Sequence, residues 1–173
     1  SLATKDDAGG LSIFAASLFS NNAGVAILAF ALGFAFGIPS LMLLMHNMAV
    51  LGAMMWLFAG QGLELEFAAW LSVHGTTELF AILLAGAAGM HIGRSMAFPG
   101  DRTIMAAAAE SGRRGAMVMT GVVLMMVVAA ILEAFPRQLV GGTPDRLLIG
   151  ATFLALWIAY FFAYRPAQTE GQP

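Results

Sequence analysis

From Ala23 to Gly60 the chain carries no charged residue over 38 positions. As a continuous helix this run would measure about 57 Å, nearly twice the ~30 Å hydrocarbon core of a bilayer. Two membrane spans are the economical reading, about Asn22 to Ile38 and about Leu41 to Ala59. Gly37-Ile38-Pro39-Ser40 supplies the break, because proline disfavours a helical residue before it and cannot donate into the preceding turn. On the first span Ala26, Ala29, Gly33 and Gly37 share one face, a seam along which a second backbone can approach closely. The second span holds His46 and Asn47 in mid-segment, polar groups expected to find partners inside a helical bundle.

The most polar of the apolar stretches runs from His74 to Gly100, and its spanning part extends from Thr77 to Phe98. A helix turns about 100° per residue, so Ala85 and Gly89 lie within roughly 20° of Glu78, and Gly93 within roughly 60°. One face is therefore small and polar and is expected to turn Glu78 into protein. His74 sits four residues earlier on that face, within reach of Glu78 if the helix starts that early. Gly86, Gly89 and Gly93 read as packing positions; they lie inside a span with no strand before them, so they do not form a phosphate-binding loop. His91 and Arg94 fall on roughly the opposite side, near the far end, within reach of headgroups.

The remaining chain is read by the same rules. Residues 1–20 form a flexible and interfacial lead-in, polar through Gly10 and then a short apolar helix ending at Asn21-Asn22, either of which suits the N-cap of the next helix. Residues 21–165 form the transmembrane domain. Within it, Leu63 to Ser72 reads as an acidic interfacial helix anchored by Phe67 and Trp70, and Met105 to Glu110 as a helical turn or two in a connection. Gly115 to Phe135 is a further span stopped by Pro136, Arg137 to Arg146 a loop, and Leu147 to Tyr164 the last span, with Trp157, Tyr160 and Tyr164 as an aromatic belt. Residues 166–173 read as a disordered tail. Because the sequence opens at Ser1 without methionine, the chain is expected to be a piece of something longer. The fold class is all-α, a polytopic transmembrane bundle of about five spans with short interfacial helices.

Only 10% of residues are charged, against about 25% in a soluble globule, and the formal net charge is -2. With no clustered basic stripe, nucleic acid is set aside as a partner, and the principal partner is membrane lipid. The absence of cysteine removes disulfides and thiolate metal sites. Arg94, Arg102, Arg113 and Arg114 flank the connection between the third and fourth spans, whereas the stretch between the second and third has no basic residue. The positive-inside bias makes the arginine-flanked face cytoplasmic.

His74 with Glu78 is the sharpest chemical feature, since i, i+4 spacing presents both side chains to one partner. Three readings fit it: a structural polar clasp, a proton or ion path, or metal-dependent hydrolysis. The last needs a third ligand from His46, His91 or Glu133, and the His-Glu-x-x-His pattern is absent. The clasp is preferred, with no catalytic residue, metal or other cofactor expected.

The chain resembles the stage II sporulation protein M family. The resemblance rests on Asn21-Asn22 ahead of a glycine-rich span ending Gly33-x-x-x-Gly37, and on His46-Asn47 followed by Leu51-Gly52. Above all it rests on His74-Gly75-x-x-Glu78-Leu79 continuing to Ala85-Gly86-x-Ala-Gly89-x-x-x-Gly93 and Pro99-Gly100. Where members often have Asn-Gly, this chain has Asn47-Met48. The resemblance implies an integral membrane scaffold or assembly subunit that holds envelope partners at the membrane, as a homo- or hetero-oligomer and in some relatives beside an AAA-type ATPase, without being an enzyme. The alternative is a permease-like subunit in which Glu78, His74 and His46 line a proton or solute path.

Overall fold

A computed structural model describes residues 3–134 and 140–163. Five α-helices account for most of them: α1 (Ala3–Ala31), α2 (Ile38–Ala59), α3 (Glu64–Ala97), α4 (Ile104–Ala134) and α5 (Thr143–Ile158). A single 3-10 turn, Leu32–Phe34, follows α1, and one wide turn, Ala159–Ala163, extends α5. Among the described residues there is no strand, as expected for the all-α class. Among the described residues four helices are long and apolar enough to cross a membrane: α2, α3, α4 and α5 with its extension. The apolar part of α1, Phe19–Phe34, is shorter and stands where the first of the expected spans was placed.

The helices outrun the sequence boundaries wherever polarity alone had marked an end. α1 continues through Asn21 and Asn22, so neither asparagine caps a helix. Leu63 to Ser72 is not a separate interfacial helix: α3 starts at Glu64 and runs 34 residues, about 51 Å, which exceeds the bilayer core and leaves Glu64 and Glu66 room to stay in water. The segments Met105–Glu110 and Gly115 onward form one helix, α4, leaving Phe98 to Thr103 as the connection. α5 begins at Thr143 after an extended Gly142, with Pro144 in its first turn, so Arg146 lies in a helix and not in a loop. Charged residues ended the spans on paper, but a helix loses no hydrogen bond where it leaves lipid, and tertiary contacts continue it. Pro136, Arg137, Tyr164, Arg165 and the tail lie outside the described residues.

The Gly37-Ile38-Pro39 break is where it was expected. Phe36 and Gly37 both have positive φ, 60° and 80°, and α2 opens at Ile38 with Pro39 in its first turn, where its missing N–H removes nothing. Glycine suits this left-handed position because a Cβ there is strained.

α3 is the central helix and touches every other described helix. Its small face is pressed against α1 and the following turn. A Cβ on Gly33 would lie 2.2 Å from the Gly89 carbonyl oxygen, one on Gly89 2.6 Å from that of Ala29, and one on Gly93 2.3 Å from the Gly37 nitrogen. All three clashes are with backbone, so the predicted seams are the α1–α3 interface itself. Gly86 leaves room for Leu44 of α2, whose methyl would be 2.6 Å from an added Cβ. Ala26, Ala29, Ala81, Ala85, Val122 and Met125 complete the core shared by α1, α3 and α4.

By contrast α2 and α5 are peripheral. Only Ser40 and Leu44 of α2 are buried, and Ser40 Oγ donates to the Ala29 carbonyl at 2.7 Å, tying the start of α2 to α1. On α5 only Gly150 is buried, seated against Ser72 of α3. Trp157 is half-buried and donates from its indole nitrogen to Thr77 Oγ1 at 3.0 Å, so it clasps α3 and does not belong to an aromatic belt. Trp157→Phe keeps the ring and loses that bond, leaving the Thr77 hydroxyl without its donor. We expect a loss of about 1 kcal/mol, read as a lowered unfolding temperature of the purified protein.

Candidate functional site

The polar residues of α3 become a site because α1 crosses it so closely. With no side chains between the glycines, Asn22 on α1 reaches Glu78 directly, its Nδ2 donating to Glu78 Oε2 at 2.6 Å. Glu78 is 2% exposed and His74 is fully buried, as the small-face reading required. Glu78 Oε1 has no hydrogen-bond partner among the described residues. Glu133, near the end of α4, is also 2% exposed and close enough to interact electrostatically with Glu78. Two carboxyl groups, from α3 and α4, therefore sit inside the bundle, where charge is costly.

Beside Glu78 lies a cavity of about 260 Å³ between α1, α2 and α3, bordered by Asn21, Asn22, Asn47, Trp70, His74 and Glu78 and otherwise by apolar side chains. Trp70 meets the His74 ring edge-on, centroids 5.6 Å apart. It continues an aromatic run in which Phe67 stacks on Phe58 of α2 at 4.2 Å and packs against Trp70 at 6.1 Å. The cavity shares Met54, Phe67 and Trp70 with a second one of about 370 Å³, which reaches Glu66 and Arg146.

Of the remaining polar candidates, Asn47 borders the cavity and donates to the Leu43 carbonyl of its own helix at 2.9 Å, a bond within α2 where one to a neighbouring helix was expected. α2 passes straight through Asn47-Met48. His46 does not join the cluster: it is exposed, on the side of α2 away from Leu44, Asn47 and Leu51, which face α3 and the cavity. Glu133 and Trp157 are the residues that sequence reasoning passed over. From sequence Glu133 offers itself only as a metal ligand, and Trp157 only as part of an aromatic belt. Among the described residues no three His, Asp or Glu side chains converge as metal ligands do.

At the other end of α3, His91, Arg94 and Arg102 border a separate pocket of about 220 Å³ with Ser95 and Phe98. Arg102 and Arg114 both pair with Glu110, the latter at 3.0 Å, and Arg113 is exposed. These half-exposed pairs add little stability. Ser111 donates to Ser95 Oγ at 2.6 Å and fastens α4 to α3 there.

The model of the stage II sporulation protein M family matches residues 2–136. The chain belongs to that family. The match takes in α1 to α4 and with them Asn22, Glu78, His74 and Glu133, whereas α5 lies beyond it. No curated protein and no solved structure matches the chain. Within this stage II sporulation protein M member, the four long apolar helices are those of a membrane protein, and the buried carboxylate site lies on the helix that holds the others together.

Proposed function

We propose that this chain is an assembly subunit of the bacterial inner membrane that holds partner proteins or further copies of itself through α2, with the arginine-flanked end of α3 and α4 toward the cytoplasm. The observation that carries this reading is the outward face of α2. His46 is exposed and stands about 12 Å from one end of the helix and about 20 Å from the other, deep in the membrane. Ionisable side chains at that depth almost always face protein or a water-filled cavity. Ala49 and Ala53 lie on the same side of α2 and are exposed too, a small-xxx-small pair that admits a second helix closely. Trp56, 79% exposed, borders the same face.

The test is photo-crosslinking in native membranes with a benzophenone amino acid at Ala49, compared with one at Val123, an exposed position of α4. A discrete protein adduct at Ala49 that is missing at Val123 is expected. Adducts with lipid alone at both positions overturn the reading.

A second reading, a permease-like subunit, draws on the placement of Glu78 beside a cavity. It expects reconstituted vesicles to carry proton or solute flux that Glu78→Gln abolishes.

A further inference from the structure

We propose that the cavity between α1, α2 and α3 is a binding site for an alkylammonium group, held by Glu78 and seated among aromatic and aliphatic side chains. The inference stands apart from the assembly reading, which concerns the opposite face of α2, and each can fail without the other.

The argument starts from the charge of the walls. Glu78 borders the cavity, is 2% exposed, and has one oxygen bonded to Asn22 while the other has no hydrogen-bond partner among the described residues. A buried carboxylate oxygen in this state loses its hydration and gains nothing in return. No lysine or arginine borders this cavity, and the nearby Glu133 adds to the negative character. A cationic donor is the group that satisfies such a place.

The chemistry of the remaining walls selects the kind of cation. Hard metal ions take six to eight oxygen ligands, or keep several waters, and this cavity offers chiefly carbon: Leu51, Met54, Phe67, Leu71 and Ile82 among others. An ammonium on an alkyl chain matches both parts. Its N–H donates to Glu78 Oε1, its charge lies near the Trp70 ring, and its chain lies along the apolar wall. A second cavity, lined also by Glu66 and Arg146, shares Met54, Phe67 and Trp70 with this one, so the same apolar wall lies beside both. Asn22 then acts as a positioning residue by fixing the carboxylate through its second oxygen.

Two sources present this chemistry, a free alkylamine and the headgroup of an aminophospholipid. The experiment measures the unfolding temperature of the full chain in nanodiscs of phosphatidylglycerol with added octylammonium, and with octanol as the neutral counterpart of equal chain length. A rise of about 5 °C at saturating octylammonium is expected, with octanol giving no more than about 1 °C. Glu78→Gln is expected to reduce the octylammonium response to that of octanol. Leu51→Trp, which fills the cavity and leaves Glu78 in place, is expected to do the same, so the test survives if Glu78→Gln does not fold.

Repeating the measurement in phosphatidylethanolamine nanodiscs separates the sources. If the lipid headgroup is the natural occupant, the protein is already stabilised and octylammonium adds nothing; if a free amine is, the added rise persists. Equal responses to octylammonium and octanol, or an octylammonium response retained in both variants, overturn the proposal.

Discussion

Gly33→Leu is expected to abolish the α1–α3 interface. The Cβ alone would stand 2.2 Å from the Gly89 carbonyl oxygen and 2.4 Å from its carbon and Cα, and each of these atoms is backbone of the central helix. A flexible side chain could rotate away, but here the helices themselves must part. Overpacking in a tight core typically costs about 1–3 kcal/mol; with backbone on both sides we expect more than about 4 kcal/mol, the range in which marginally stable proteins lose their fold. The checks are the folded fraction recovered by size exclusion after extraction and the unfolding temperature. Gly121→Ala is the control, because nothing lies within 4 Å of the Cβ it adds. It should leave stability unchanged within about 0.5 kcal/mol or raise it by up to about 1 kcal/mol through helix propensity. If Gly33→Leu folds as well as Gly121→Ala, the close crossing of α1 over α3 is wrong.

Asn22→Leu is expected to give the second largest effect. It removes the donor to Glu78 Oε2 and leaves a buried carboxylate with neither oxygen bonded, next to Glu133. A hydrogen bond contributes about 0.5–3 kcal/mol, the upper part of that range applying to charged partners, and an acceptor left buried without its donor adds its own desolvation cost. A loss of about 3 kcal/mol in chemical unfolding is the expected result. The double variant Asn22→Leu with Glu78→Leu should recover most of it, because replacing both partners by apolar groups removes the unsatisfied acceptor along with the bond. A double variant as unstable as Asn22→Leu alone would show that the two side chains act separately, contrary to the 2.6 Å contact. Comparing the four proteins as a double-mutant cycle isolates the coupling.

The glycine positions and the buried carboxylate were legible because helical periodicity is a local property. Glu78, Ala85 and Gly89 share a face in any helix, and a face that is both small and polar has to meet protein when the surrounding solvent is lipid. The same holds for the break at Gly37-Ile38-Pro39, where the glycine takes a left-handed conformation and the proline fits the first turn of the next helix. Membrane character and the all-α class follow from the charge-free run Ala23 to Gly60, since the bilayer accepts few other backbones. The family resemblance, carried by residues from Asn21 to Gly100, agrees with the match over residues 2–136.

What periodicity could not decide was which faces meet. His46 and Asn47 are neighbours in sequence and equally polar, yet one faces outward and the other borders the cavity, because the contacts of Leu44 with Gly86 and of Phe58 with Phe67 fix which side of α2 meets α3. Asn22 reads as a cap in sequence and is a partner of Glu78 in space, 56 residues away. The lengths of α3 and α4 likewise came from packing, which carries a helix past the charged residues at which hydropathy stops. By itself the sequence determined the solvent, the helical class and the small polar face of α3 that had to be covered, since these follow from composition and from spacing along one helix. Tertiary structure alone decided what covers each of them, because the approach of two helices depends on side chains that are far apart in the chain.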